Sequence, residues 1–551
     1  MFTIRKYKDE FSYYKSSLMS KLPVLVIIII LLFLCNCHSN SGKDLVDNTF
    51  RYAMKSDPRH LNPILASEMA SITVNSFIFN PLVRYNENLE IIPDLAESRE
   101  IKDGGRRIIF HLKKGVMWHD GTEFTADDVV YTFKKILDPK TNTFNAGLFK
   151  MNKNILWFKW EENIKFKAID KYTVEARLPL PFAPFLNNLT LTPIAPKHLL
   201  EGEDINLTEF NRNPVGTGPF KFKEWKTSDR ITLDANPDYF NGKPKLDRIE
   251  IRIVPSAEGA RIALISGQVD MAGLSAEDLF VMSYLKEFPP DLRIEKWKNF
   301  TYFYFSFDLT NPLFADKNVR YAISYAVDKK NMAKSVLHGT GCPIYGPIPA
   351  ASWAYTDDVE KFEYNPEKAK KLLDDAGWKI GKDGIREKNG KRLSFKVIYK
   401  NGSRASESAC IQLQNYLAAV GIELKLQSLD FGALINSLYP GQYESVVFDW
   451  VEPFDPDIFV EWHSSQCGDV GMNFMSYKNR EVDILLEKAR TTLGREERKK
   501  LYYEIQRKIA ADAPYLWLWN QESAVGVNKK VKGLSKPSPA GLLLYPEKVY
   551  K

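Results

Sequence analysis

The segment RIEIRIV, residues 248–254, alternates strictly over its first six residues. Ile249, Ile251 and Ile253 fall on one side of an extended chain, and Arg248, Glu250 and Arg252 on the other. Side chains in a strand point alternately to opposite faces, so this pattern predicts a strand with one face buried. RIIFHL repeats it, with Ile108, Phe110 and Leu112 in register. Helical signals lie between such strands. In TADDVVYTFKKIL, Thr125 is the cap, Asp128 stands three residues on, and Val129, Phe133 and Ile136 share a face. In NPEKAKKLLDDAGW, Asn365 caps and Pro366 opens the helix, Leu372, Leu373 and Ala376 face inward, and Gly377 ends it. Strands and helices interleave over the whole length, which predicts an α/β chain.

One segment is different in kind. Residues 22–34 read LPVLVIIIILLFL, preceded by Lys21 and followed by CNCHSNSGKD. This run is shorter than the roughly 17–25 residues that span a bilayer. It fits the apolar core of a secretory signal, about 7–15 residues long. Met19 offers a compact alternative start. Leu34 stands three residues before Cys37, which resembles a bacterial lipobox, with Asn36 where a small residue is usual. The expectation is a signal over 1–36, Cys37 as the lipid-bearing residue, and a polar tether over 37–47. Cys35 would leave with the signal. Two cysteines without a partner motif make no tetrahedral metal set.

Beyond this segment about 510 residues remain, too many for a single core, so two or three domains are expected. The formal charge is +7, from 76 Lys and Arg against 69 Asp and Glu. The basic residues are spread among nearly as many acids, which argues against nucleic acid as a partner. Cys342, Cys410 and Cys467 are an odd number, so at least one is unpaired within a monomer. The chain has no GxxxxGK[ST], no GxGxxG after a strand, no HExxH and no GxSxG. Its seven histidines are scattered. His111 reads as a strand residue, and His463 in EWHSSQC is the one with acidic and thiol neighbours. No enzyme, cofactor or metal centre is expected.

A series of longer motifs is more specific. DPRHLNP (57–63), IPDLAES (92–98) and IIFHLKKGVMWHDGTEFTADDVVYTF (108–133) come first. GTGPFKFKEW (216–225), NPDYFNGKPKLDRIEIRIV (236–254), ALISGQVDM (263–271) and NVRYAISYAVDKK (318–330) come next, then DPDIFVEWHSSQ and NFMSYKNREVDILLEKAR. In this order they resemble the family 5 extracellular solute-binding proteins, the oligopeptide- and dipeptide-binding proteins of bacterial ABC importers. Physically the motifs read as scaffold: a turn at Asp120-Gly121, and in GTGPF two glycines where backbone turns tightly or approaches another chain.

The resemblance implies a two-lobed, three-domain periplasmic-binding-protein fold of type II, closing by a hinge. Its implied boundaries are 48–84, 214–306 and 524–551 for lobe one, 85–213 for a smaller domain inserted in it, and 307–523 for lobe two. Crossovers fall near YFYFSFDLT and YLWLWNQES. Asp308 stands where the family commonly has Asn. The resemblance also implies site residues. In the family, an Asp four residues before the Pro of a DP motif meets the ligand's amine, and here Glu452 stands four before Pro456. Asp455 and Trp450 are its neighbours in DWVEPFDPDIF. For a ligand carboxylate, the Arg that precedes a helix in dipeptide binders falls near Lys400, with Arg404 beside it. Lys would act as a point charge, without the fork of Arg. The expected function is capture of oligopeptides for a membrane permease by a monomeric lipoprotein of the cell envelope. A nickel chelate, an oligosaccharide or an opine remains open as cargo, and an enzyme or adhesin on the same scaffold is the less favoured class.

Overall fold

The structure, a computed structural model, describes residues 48–149, 164–284, 289–439, 441–468 and 471–551. The signal segment, Met19, Cys37 and the tether to residue 47 lie outside the described residues. Among the described residues no helix is long and apolar enough to cross a membrane.

Fifteen strands build the sheets that position the site: β1 (Thr49–Met54), β2 (Ala96–Lys102), β3 (Arg107–Leu112), β4 (Lys165–Asp170), β5 (Thr173–Arg177), β6 (Phe220–Lys226), β7 (Arg230–Ala235), β8 (Arg248–Ile253), β9 (Met271–Leu274), β10 (Leu292–Phe307), β11 (Gly341–Pro343), β12 (Ser394–Lys400), β13 (Glu423–Leu429), β14 (Ser445–Val451) and β15 (Tyr515–Asn528). The helices that pack on them or flank the site include α1 (Ala126–Leu137), α2 (Phe185–Thr190), α3 (Ala276–Tyr284), α4 (Pro366–Asp375), α5 (Arg404–Ala418), α6 (Phe459–Trp462), α7 (Arg480–Thr491) and α8 (Arg495–Asp512). One mixed sheet runs β13-β12-β14-β10-β15-β9-β1-β8-β7-β6, with β11 added on β15, and a separate antiparallel sheet runs β2-β3-β5-β4.

The alternation in RIEIRIV becomes β8, paired in parallel with β1. Ile249 and Ile251 are fully buried, while Ile253 is half-buried and packs against the same core. In β3, Ile108, Phe110 and Leu112 are buried, and His111 lies at the surface with Nε2 2.7 Å from Glu100 Oε1. The helix starts are built as the sequence reads. Thr125 and Asp128 form a capping box on α1, whose Val129, Phe133 and Ile136 are fully buried. Asn365 accepts from Lys368 N at 2.9 Å, and Gly377 ends α4 with φ of +85°. In α4, Leu373 and Ala369 are the fully buried pair, with Leu372 and Ala376 at the margin of the core.

The run YFYFSF is apolar on both faces because both faces are covered. Phe303, Phe305 and Phe307 of β10 join one core, together with Leu516 and Leu518 of β15. Tyr302 and Tyr304 join another, with Tyr515 and Trp517. A strand buried on both sides reads as a continuous hydrophobic stretch. Where β10 ends, Asp308 is fully satisfied: Oδ1 accepts from Thr310 N and Oγ1, and Oδ2 accepts from Gly441 N at 2.7 Å. The two lone-pair sets of a carboxylate serve both contacts, so the departure from Asn leaves no hydrogen-bonding gap. Cys342, Cys410 and Cys467 are all free.

The glycines of GTGPF are required by close approach, since neither has a positive φ. Gly218 N donates to Ile78 O at 2.7 Å, and a Cβ at Gly216 would sit 1.8 Å from that same oxygen. His119 completes the joint. Its Nδ1 accepts from Gly216 N at 3.2 Å and its Nε2 lies 3.0 Å from Gly218 O, which requires the neutral ring. Burial pushes its pKa down to about 4, against which the Gly218 carbonyl pulls only weakly. Gly216→Ala is expected to lose about 3 kcal/mol of unfolding free energy or more, since backbone has nowhere to yield. Chemical denaturation measures this, and wild-type stability in the variant would show that the two segments can separate at no cost.

Candidate functional site

The site is built where β10 departs from regular pairing. From Lys298 to Tyr302 the strand takes four steps while its partner β15 takes two, from Glu522 to Asn520. The extra residues form a bulge, a device that frees backbone groups and re-aims side chains. Asn520 Nδ2 caps the freed carbonyls, donating to Thr301 O at 2.6 Å and Asn299 O at 3.2 Å. Asn299 Oδ1 accepts from Thr301 N at 2.9 Å, and its Nδ2 donates to Ser523 Oγ. The carbonyl of Phe300 then accepts from Glu452 N at 3.0 Å. The bulge thereby fixes the residue that comes directly after β14.

Glu452 lines a narrow recess that is closed to a water molecule in this structure. Phe300, Ile348, Pro349, Pro453, Pro456 and Ile458 make its apolar wall, and Ser352 adds a hydroxyl. Glu452 is only 5% exposed, and neither carboxylate oxygen has a hydrogen-bond partner. Burial pushes its pKa up to about 8; the Tyr302 hydroxyl counteracts this in part and Asp457 adds to it. A second acid, Glu461 of α6, is 6% exposed with Oε2 unpartnered. Burial first, then Glu452, holds its pKa well above the carboxylate range. The nearby Tyr302 Oη also lacks a partner.

The other expected residues are engaged differently. Asp455 is tied to Arg498 of α8 by two bonds, Nη1 to Oδ2 at 2.9 Å and Nη2 to Oδ1 at 2.6 Å, and accepts from Asn187 Nδ2 at 2.7 Å. Trp450 stacks between Tyr304 and Phe474, at 6.2 and 5.8 Å, with Nε1 3.5 Å from Tyr515 Oη. Lys400, at the end of β12, is exposed, with Nζ 5.1 Å from the Phe431 ring centre. It draws down the Asp449 pKa, which burial raises more strongly. Arg404 is the first residue of α5, its side chain 79% exposed and paired with Glu277 of α3. Only Glu452 of the five lines the recess. Sequence reasoning missed Phe300, Tyr302 and Glu461. The available signal for Glu461 was a lone acid inside the apolar run IFVEW.

Chain segments distant in sequence meet around this loop. Phe454 packs on Tyr85 at 5.0 Å and on Phe300 at 5.3 Å. Tyr85 Oη donates to Asn187 Oδ1 at 2.7 Å, and Ala183 N donates to Arg490 O at 2.8 Å. Arg490 also grips Asp457 with Nε and Nη2, at 2.8 and 2.7 Å.

A buried acid without a counter-ion, at a bulge where remote segments converge, is a feature of binding and offers no nucleophile-and-base pair. The family model for bacterial extracellular solute-binding proteins, family 5, matches residues 90–470. The chain belongs to that family. The oligopeptide-binding protein AppA of Bacillus subtilis is 34% identical over 487 residues, covering 87% of each chain. The structure of an AppA from Bacillus subtilis with a nonapeptide superposes with a TM-score of 0.77 at 32% identity, over 91% of this chain and 98% of that one. NikZ from Campylobacter jejuni, solved with Ni(L-His), gives 0.80 at 30%, over 92% and 100%. The fold is thus that of the type II periplasmic binding proteins, and the family's members bind solutes for transport.

Two of the acids in the DWVEPFDPDIF loop, Asp455 and Glu452, should respond oppositely to mutation. Asp455→Ala strands Arg498 in the interior and is expected to cost about 3–5 kcal/mol of stability, read by urea denaturation; a loss under about 1 kcal/mol would remove the ion pair from the scaffold. Glu452 works the other way. Its folded pKa is raised, so its contribution is present below the unfolded value near 4.5 and is lost as pH rises through about 8. Between about pH 4.5 and 8 the uncomplexed wild type should therefore lose stability that Glu452→Gln retains. Parallel stability–pH curves for the two proteins would contradict the burial of a strained acid.

Proposed function

We propose that this protein captures oligopeptides in a cleft between two lobes and hands them to an ABC permease in the membrane. The lobes are residues 48–84, 214–306 and 524–551, with 85–213 inserted, against residues 307–523. Cys37 carries the lipid that keeps the cleft near the membrane. The observation that carries the reading is Glu452, a buried carboxylate whose two oxygens make no hydrogen bond among the described residues. Buried charges are paired in stable proteins, and the natural partner here is the ammonium at a peptide's amino end. The apolar corner around Glu452 is closed in this structure, so a head group reaches the carboxylate only when the segments around it part. The rest of a peptide would lie along the interlobe surface, which the contacts of Asn187 with Asp455 and of Arg404 with Glu277 hold together. Opening at the bulge of β10 admits it. Lys400, exposed beside Phe431, is the cation available for a carboxylate. The likeness to peptide-binding AppA supports the same cargo.

A metal chelate is the second reading, because NikZ with its Ni(L-His) matches the fold as well as AppA does. Mass spectrometry of solutes released from the purified protein separates the two. Peptides are expected, and calorimetry with a mixed peptide library should give saturable heat. Glu452→Ala should weaken that binding by about 2 kcal/mol or more, roughly 30-fold. Recovery of a metal chelate, with no heat from the library, would replace the peptide reading by the other.

A further inference from the structure

Two buried acids act on one another where the mechanism of capture uses one: Glu452 in the wall of the recess and Glu461 on α6 behind it. Glu452 and Glu461 are each more than nine-tenths buried, and three of their four oxygens have no hydrogen-bond partner. The cations nearest to them are committed elsewhere. Arg498 of α8 is held by both oxygens of Asp455, and Arg490 of α7 by both oxygens of Asp457. From β10 and β15 the facing groups are the hydroxyls of Tyr302 and Tyr515, both buried, and Tyr515 Oη already receives Trp450 Nε1. His463, two residues beyond Glu461, turns Nδ1 to Ser465 and Nε2 toward Glu487 at 3.4 Å. A lone carboxylate moved from water into such surroundings takes up a proton in preference to keeping its charge, and two neighbouring carboxylates cannot both stay ionised without a counter-ion. The upward shifts of both acids agree with this.

We propose that Glu452 and Glu461 are both protonated in the uncomplexed protein at neutral pH, and that a primary ammonium entering the recess expels the Glu452 proton. The exchange balances: the ligand's ammonium and Glu452 carboxylic acid give an ammonium–carboxylate pair, and one proton leaves to solvent. Glu461 keeps its proton, so the recess presents one negative charge to one positive head group. It is a positioning residue that sets the charge of the site at one. This rests on the reading of the recess as an ammonium site, and it adds a dependence on pH that an ordinary exposed carboxylate would not give. Below the Glu452 pKa of about 8, each unit of rising pH should strengthen binding by up to about tenfold. Near pH 8 the gain stops, because a peptide amine itself titrates at about 7.7–8.0.

Difference infrared spectroscopy of the full chain, in the carboxylic-acid carbonyl region, reads the first half of the proposal without any ligand. Two buried-acid bands are expected at about pH 6.5, one lost in Glu452→Gln and the other in Glu461→Gln. Calorimetry in two buffers of different ionisation enthalpy then reads the second half, with a mixed library of short peptides and its N-acetylated counterpart as probes. Release of close to one proton per bound free-amine peptide is expected in wild type, retained in Glu461→Gln, with affinity rising about 100-fold from pH 5.5 to 7.5. The absence of acid bands at that pH overturns the proposal whatever binds. Acid bands with peptide binding but no proton release, or with pH-independent affinity, overturn it and leave the transport reading standing. Acid bands with no binding by either library overturn the exchange together with the peptide reading. Equal binding of the acetylated library moves the head group away from Glu452 and also overturns it.

Discussion

The antiparallel pairing of β10 with β15 is the constraint on which the rest of the molecule depends. These two strands sit at the middle of the large sheet, joining β14 on one side to β9 on the other. The pairing runs from Leu292 with Asn528 to Ser306 with Tyr515. One end lies between the cores that contain Phe305 and Tyr304, and the other against Leu274 and Met282. A ladder this long would be stiff if it were regular. Its register shifts twice, between Lys298 and Tyr302 and again between Phe303 and Tyr304; at the first, over Asn299–Thr301, the freed backbone groups are satisfied by two asparagine side chains. Side-chain caps of this kind keep the joint hydrogen-bonded while leaving it outside the cooperative ladder. The same interruption presents the Phe300 carbonyl to Glu452 N, so the site and the break in the sheet are one feature.

Around that break the chain treats neighbouring acids in opposite ways. Asp455 has a bidentate arginine, a geometry that matches carboxylate and fork and offsets desolvation. Asp457 has the same arrangement with Arg490. Glu452, three residues before Asp455, has nothing. The contrast argues against loose packing as the cause of the orphan. The loop is pinned by one buried and one half-buried ion pair and by Phe454 between Tyr85 and Phe300. The stability supplied by Asp455 and Asp457 is what allows an uncompensated acid to persist beside them.

Much of the scaffold was legible in the sequence because it obeys local rules. The alternation in RIEIRIV, the capping box at Thr125 and the stop at Gly377 each depend on residues within a turn or a strand of one another. The glycines of GTGPF announced close approach, though not the partner: Ile78 lies far back in the chain, and only the fold brings its carbonyl to them. The site was legible only in part, for the same reason. Glu452 could be placed by its spacing from Pro456 within a family pattern. Asp455 could not be told from it, because what separates them is Arg498, 43 residues further on. Glu461 reads as a polar position on a short amphipathic turn, and becomes unusual only once the fold has buried α6. Arg404 and Lys400 are both basic residues near the start of a helix in sequence, but the helix begins at Arg404 itself, which sends one charge to Glu277 and leaves the other at the end of β12.

The coincidence of an irregular strand joint with a buried acid that lacks a counter-ion would have a physical consequence for the proposed closure. When the segments around the recess part, water reaches Glu452 and its carboxylate is stable as an ion. Bringing Phe300, Ile348 and the prolines back around it removes that water. Closure must then be accompanied either by a proton or by a cation, since an isolated ion in an apolar wall costs several kcal/mol. In the proposed capture a peptide's ammonium would supply the cation and would place the rest of the ligand between the segments, adding contacts that a proton cannot. The same acid therefore sets two closed populations against each other, one protonated and one liganded. Their ratio is set by the ligand's concentration multiplied by its affinity, measured against proton activity.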